Sequence, residues 1–166
     1  MLALKITDVK GFMNQLLIGD TFDSFPMAEA SITTFNTFSI DGMLNKVFFD
    51  TDMQDILTQK GQVYSLWKDL KPFCFSVIRG KRTPLHFKII FQLTPSQLPR
   101  LTGEEESAAF ANISSLFLNI QYKNNFLLCT TGTFQKSFSM DKSAEQLWDQ
   151  IIQKFFLSQN IVSETV

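Results

Sequence analysis

The sequence has few of the residues from which most recognisable active sites are built. It contains one histidine, His86. A histidine metal cluster is therefore excluded, and a Ser–His–Asp triad would depend on that single side chain. It contains two cysteines, Cys74 and Cys129, each inside an apolar run and neither in a CxxC pair. They read as buried free thiols and not as a metal or redox pair. No GxGxxG is present, and Gly80-Lys81 fails as a phosphate loop because Phe75 stands five residues before Gly80 and Arg82 follows Lys81. No cofactor is expected.

Other absences bound the class. No apolar run approaches the ~20 residues that span a bilayer. Met1 to Asp8 lacks a basic stretch followed by a long apolar one, so no signal peptide is read and a cytoplasmic location is expected. With only 7 Gly and 5 Pro in 166 residues and 45% apolar content, the chain is neither disordered nor fibrous. Its length fits one domain, residues 1–166, with no linker to divide it. An excess of one charge is missing too. The net charge of −1 gives the whole molecule no strong pull on nucleic acid or membrane. That average hides an asymmetry, since residues 61–100 hold seven basic groups and one acid.

What the sequence does have is phenylalanine, 18 residues against 2 Trp and 2 Tyr, which is read as a Phe-built core. Residues 2–6 form a short strand, and Asp8 caps a helix over 9–18 with Val9, Phe12, Met13, Leu16 and Leu17 on one face. Residues 28–40 read as one strand, Asp41-Gly42 as a hairpin turn and 43–49 as the return strand. Asp50 caps a short helix near 53–59. A helical turn near 65–70 precedes Pro72, which opens a strand over 73–79 paired with 85–93 across a turn at 80–84. Residues 95–111 form two short helical stretches separated by Gly103. Residues 113–122 and 126–131 make a hairpin around Asn124-Asn125, and 134–140 a further strand. Asp141 caps a helix over 142–157 whose stripe is Ala144, Leu147, Trp148, Ile151, Ile152, Phe155 and Phe156. The tail beyond Ser158 reads as frayed. The pattern is an α+β fold, a mainly antiparallel sheet of about eight strands with three to four helices.

Strand, helix and strand meander recur in residues 1–60 and 85–140, which suggests a pseudo-repeat. On Phe91 to Leu98, Leu116 to Ile120 and Cys129 to Gly132, residues 85–140 resemble a domain of a DNA polymerase sliding clamp. That resemblance implies a duplicated strand–helix–three-strand architecture. Clamp helices that face DNA are basic, whereas helix 9–18 carries only Lys10 and residues 95–111 set Arg100 against three glutamates. A clamp-like fold would not slide on DNA in the usual way. The whole chain also resembles an uncharacterised bacterial protein family, a domain of unknown function. The matching residues are Leu4 to Lys10, Thr33 to Phe38, Gly80 to Pro84 and Cys129 to Thr133. That resemblance implies no activity.

The best candidate ligand site is the basic hairpin 79–88. Arg79, Lys81 and Arg82 sit at its turn, followed by His86 and Lys88, with Phe87 available to stack on a base. The plain alternative is a solvated turn whose charges protect a sheet edge. His86 has the parity opposite to Leu85 and Phe87 and is expected to face solvent. Asp50, Asp52 and Asp55 do not make a calcium loop, because its sixth position is Asp55 and its twelfth Gly61. Asp20, Asp23 and Asp41 are scattered acids, the set from which an enzyme site would be assembled on a third reading, and Thr130 to Thr133 read either as an anion cradle or as a strand bend. The leading functional expectation is a non-enzymatic interaction module that binds a protein partner or itself. The alternative is binding of nucleic acid or a phosphorylated ligand through 79–88.

Overall fold

Alternation of apolar and polar side chains builds the sheet. In the computed structural model, which describes residues 1–166, seven strands form one antiparallel sheet: β1 (Ala3–Ile6), β2 (Met27–Thr33), β3 (Thr37–Asp41), β4 (His86–Leu93), β5 (Ile113–Lys123), β6 (Phe126–Gln135) and β7 (Ser163–Thr165). Their order is β3-β2-β4-β5-β6-β1-β7. Phe87, Ile89, Phe91 and Leu93 of β4 are buried, while the residues between them are not. Period-two alternation puts the two sets on opposite faces. The hairpin between β5 and β6 turns at Asn124 and Asn125, both with positive φ. Two successive left-handed residues are what a tight hairpin turn needs, and Asn tolerates that conformation.

Five helices accompany the sheet: α1 (Val9–Leu17), α2 (Thr51–Gln59), α3 (Trp67–Ile78), α4 (Leu98–Thr102) and α5 (Ser143–Ser158). Asp8 starts α1 by accepting from the Gly11 N–H at 3.0 Å, and Asp50 starts α2 by accepting from the Met53 N–H at 2.8 Å. Asp141 accepts from the Ser143 N–H at 2.9 Å ahead of α5, and this bond to the backbone holds its carboxyl below the usual range. The buried faces of α1, α3 and α5 join the sheet in one cluster of 32 residues. Phe12, Phe22, Phe25, Phe91, Phe155 and Phe156 meet there, many of them edge-on.

Both tryptophans are anchors. The Trp67 indole donates to the Leu16 carbonyl at 2.7 Å, tying α3 to the end of α1. The Trp148 indole donates to the Phe117 carbonyl at 2.9 Å, tying α5 to β5. Lys71 of α3 donates to the Gly19 carbonyl at 2.8 Å and pairs with Asp23, which holds the α1–β2 loop against α3.

Several expected elements differ. Residues 73–79 are not a strand. Residues 73–78 belong to α3 and Arg79 caps its end; the apolar residues Trp67, Leu70, Cys74 and Val77 recur at helical spacing. Pro72 lies within this helix and did not break it. It forgoes one hydrogen bond, while burial of the Trp67 face supplies the helix's stability through packing. The 79–88 segment is therefore a helix end, a loop and a strand, not a hairpin. Residues 28–40 are not one strand either. They fold back at 34–36 into β2 and β3, with Ala30 opposite Ile40 and Ile32 opposite Phe38. Residues 43–49 form no return strand: Met43 makes an isolated bridge to Tyr64, and Lys46–Phe48 is a helical turn. The second stretch of 95–111 is reduced to a turn at Ala108–Phe110, and 134–140 is no separate strand because β6 runs on to Gln135. The tail is not frayed: Ile161 is buried and β7 pairs with β1. β1 lies beside β6, with three strands between it and β2 in the sheet.

Candidate functional site

The structure divides the five expected ligand-binding residues among three places. Arg79 ends α3, and its guanidinium carbon lies 5.8 Å from the centre of the Phe75 ring, a cation–π contact within the helix's last turn. Lys81 and Arg82 are exposed in the loop that follows and line a cavity of about 460 Å³. His86 and Lys88 are on β4 and point, by the alternation, to the polar face of the sheet. There they line a different depression with Glu29, Ser31, Gln121 and Lys123, which shares no residue with the first. His86 is exposed, as its parity predicted. The five residues do not converge on one ligand.

Phe87 cannot stack on a base. It is buried on the core face and stacks on Tyr122 with ring centres 5.4 Å apart. The aromatic beside Lys81 and Arg82 is Phe35, 87% exposed at the tip between β2 and β3. Leu85 bonds to the Thr33 carbonyl at 2.9 Å, which holds the loop against that tip. Sequence reasoning missed Phe35 because 28–40 read as a single strand. The signal was present: Thr34 and Asn36 interrupt the apolar parity that Ala30, Ile32, Phe38 and Ile40 share.

The other candidates have structural employment. Asp23 is paired with Lys71, and Asp41 accepts from the Met43 N–H at 2.9 Å. Thr130 to Thr133 run through extended β6 and form no cradle; Thr131 is buried, accepts from the Leu2 N–H at 2.9 Å and donates to Asp149. Both thiols are buried in the core. Burial pushes Cys74 up to about 11 and Cys129 higher still, so neither is a ready nucleophile near neutral pH. No group of three or more His, Cys, Asp or Glu side chains is placed to hold a metal. No helix is long and apolar enough to cross a membrane.

A second surface stands out by its exposure. Eight of the 18 phenylalanines are buried, but seven are exposed, so the core accounts for fewer than half of them. Phe38 is on β3, at one edge of the sheet, where four of the five residues are exposed. Val47, Phe48, Met53 and Ile56 follow in the arm between β3 and α3 and are also exposed.

The backbone of β3 is open in a regular way. The Thr34 N–H bonds to the Asn36 carbonyl and the Gly42 N–H to the Ala28 carbonyl. With the β2–β3 register, these bonds make Phe38 and Ile40 the residues that bond inward to β2. Thr37, Ser39 and Asp41 then turn their N–H and C=O groups outward. The opposite edge of the sheet, β7, has three residues.

A family model matches residues 15–164. The chain belongs to DUF5721, a family of unknown function. Membership in DUF5721 agrees with the resemblance carried by Thr33 to Phe38, Gly80 to Pro84 and Cys129 to Thr133. Two of those segments form the cavity at the β2–β3 tip. No curated protein and no solved structure matches the chain, and the sliding-clamp likeness of residues 85–140 has no counterpart among the comparisons.

Proposed function

We propose that this chain is an interaction module, not a catalyst, and that its partner through β3 is a second copy of itself. The observation that carries this reading is the self-complementary edge of β3. Two antiparallel β3 strands related by a two-fold axis at Ser39 set Ser39 opposite Ser39 and Thr37 opposite Asp41. Those are the three residues whose backbone groups face outward, so every outward N–H and C=O finds a partner. The same register puts Phe38 of one copy beside Ile40 of the other, twice, on the apolar side. No like charges oppose one another. An interface between identical chains with this symmetry is the commonest kind. An edge left unprotected by proline, lysine or a bulge is a template for such pairing.

The reading predicts a mass of twice the 19.0 kDa chain, measured by sedimentation equilibrium over a series reaching millimolar concentration. Ser39→Pro removes an outward N–H without touching a β2–β3 bond, and should leave a folded monomer. Ser39→Lys places like charges directly opposite and should weaken the dimer at least tenfold at low salt, with recovery as salt screens the pair. A wild-type monomer throughout the series would overturn the proposal. So would a dimer that both substitutions leave intact, or a β3 edge that pairs only with an extended segment of another protein.

A further inference from the structure

We propose that the cavity between the end of α3 and the β2–β3 tip binds a small molecule that joins a phosphate group to a flat ring. Four observations meet there. Lys81 and Arg82 line it, and neither has a carboxylate partner in the structure. No acidic residue is among its lining residues, so nothing in the wall repels an anion. Phe35 lines it too, with its ring exposed and outside the core. Thr34 completes that wall, and its hydroxyl is the one buried side-chain polar atom in the chain without a hydrogen-bond partner. Buried hydroxyls are ordinarily satisfied, so this one, closed off from solvent as it stands, has to rotate about χ1 to reach a partner in the cavity.

The chemistry selects the ligand class. Arg presents a planar fork of donors that matches phosphate, and Lys adds a mobile point charge. Thr83 adds a second hydroxyl. An exposed phenyl ring gives a flat ligand a stacking surface that works for any base. About 460 Å³ lies within the range of small-molecule pockets. A polymer is a poorer fit, because nucleic-acid affinity grows with the number of phosphates neutralised, and only two cations converge here. Arg79 is engaged on Phe75, while His86 and Lys88 face the other depression.

Titration calorimetry with adenosine monophosphate, adenosine and inorganic phosphate as separate probes tests the proposal. The monophosphate should bind tightest, because only it engages both the cations and the ring. Lys81→Ala with Arg82→Ala should weaken it at least tenfold, and Phe35→Ala should reduce it to the level of inorganic phosphate. All three side chains are exposed, so the thermal midpoint of each variant should match the wild type and confirm folding. Equal affinity for adenosine and its monophosphate would overturn the proposal. So would an affinity that the double substitution leaves unchanged, or an oligonucleotide that binds more tightly than the mononucleotide. Phe35 packs edge-on against Phe38 at 6.0 Å, so it is the Lys81 and Arg82 substitutions, which lie off β3, that tell the two proposals apart: they should remove monophosphate binding and leave the mass of the assembly unchanged.

Discussion

Replacing Gly42 with alanine is expected to cost about 3 kcal/mol of folding stability or more, because the added methyl has no space. A Cβ at this position would lie 1.7 Å from the Met27 carbonyl oxygen and 2.7 Å from its carbon. Both atoms are backbone, so no side chain can swing aside. The backbone is committed on two sides. The Gly42 N–H bonds to the Ala28 carbonyl at 2.9 Å, and its carbonyl accepts from the Ser65 N–H at 2.8 Å. Moving either strand strains β2, which is central to the core through Met27, Ala30 and Ile32. Urea denaturation should show the midpoint falling with an unchanged slope. Gly80→Ala is the matched control. A Cβ there meets nothing nearer than 4.0 Å, and its φ is not positive, so the change should stay within about 0.5 kcal/mol. Equal effects at the two glycines would contradict the packing described around Met27.

The second large effect is expected at Trp67. The side chain is fully buried, and its indole N–H is the donor to the Leu16 carbonyl. Trp67→Ala leaves a cavity against Phe91, whose ring packs edge-on at 5.6 Å, and leaves a buried carbonyl unpaired. The cavity alone costs about 3–5 kcal/mol, and the orphaned carbonyl about 1–3 more. Total stability of a domain is only about 5–15 kcal/mol, so the alanine variant should be largely unfolded near body temperature. Trp67→Phe keeps an aromatic body and loses the bond, and should cost about 2 kcal/mol. Thermal unfolding followed by circular dichroism distinguishes the two. A phenylalanine variant as unstable as the alanine variant would show that the indole bond, not the packed volume, dominates.

The sequence carried the fold class well where one periodicity ruled without competition. The α1 and α5 stripes, the caps at Asp8 and Asp50, the alternation of β4 and the Asn124-Asn125 turn were all legible. It failed where local composition and tertiary packing disagreed. Phe73 to Ile78 is rich in aromatic and β-branched residues after a proline, which favours a strand locally. The structure makes it helical because Trp67, Leu70, Cys74 and Val77 bury one face together. Asp41-Gly42 has the composition of a hairpin turn, yet Gly42 is there for a close backbone approach that no local signal encodes. The turn itself is at Thr34 to Asn36, where a polar interruption was the quieter cue.

The candidate site was legible only in part for the same reason. Charge density picks out Lys81 and Arg82, and both line one cavity. Their companions Thr34 and Phe35 come from a hairpin that is distant in sequence. A hairpin would group His86 and Lys88 with Lys81 and Arg82, and the helical 67–78 segment removes that hairpin. The outward backbone groups of β3 were not readable at all, because the strand's edge position depends on the whole order of the sheet.

Pairing through β3 is tested most directly by amide hydrogen exchange at single-residue resolution, compared at low and high protein concentration. Phe38 and Ile40, which bond inward to β2, should be protected at both concentrations. Thr37, Ser39 and Asp41 should exchange freely in the dilute protein and become protected in the concentrated one. Fast exchange at those three residues in the concentrated protein, or protection that does not alternate along β3, would contradict assembly through this edge.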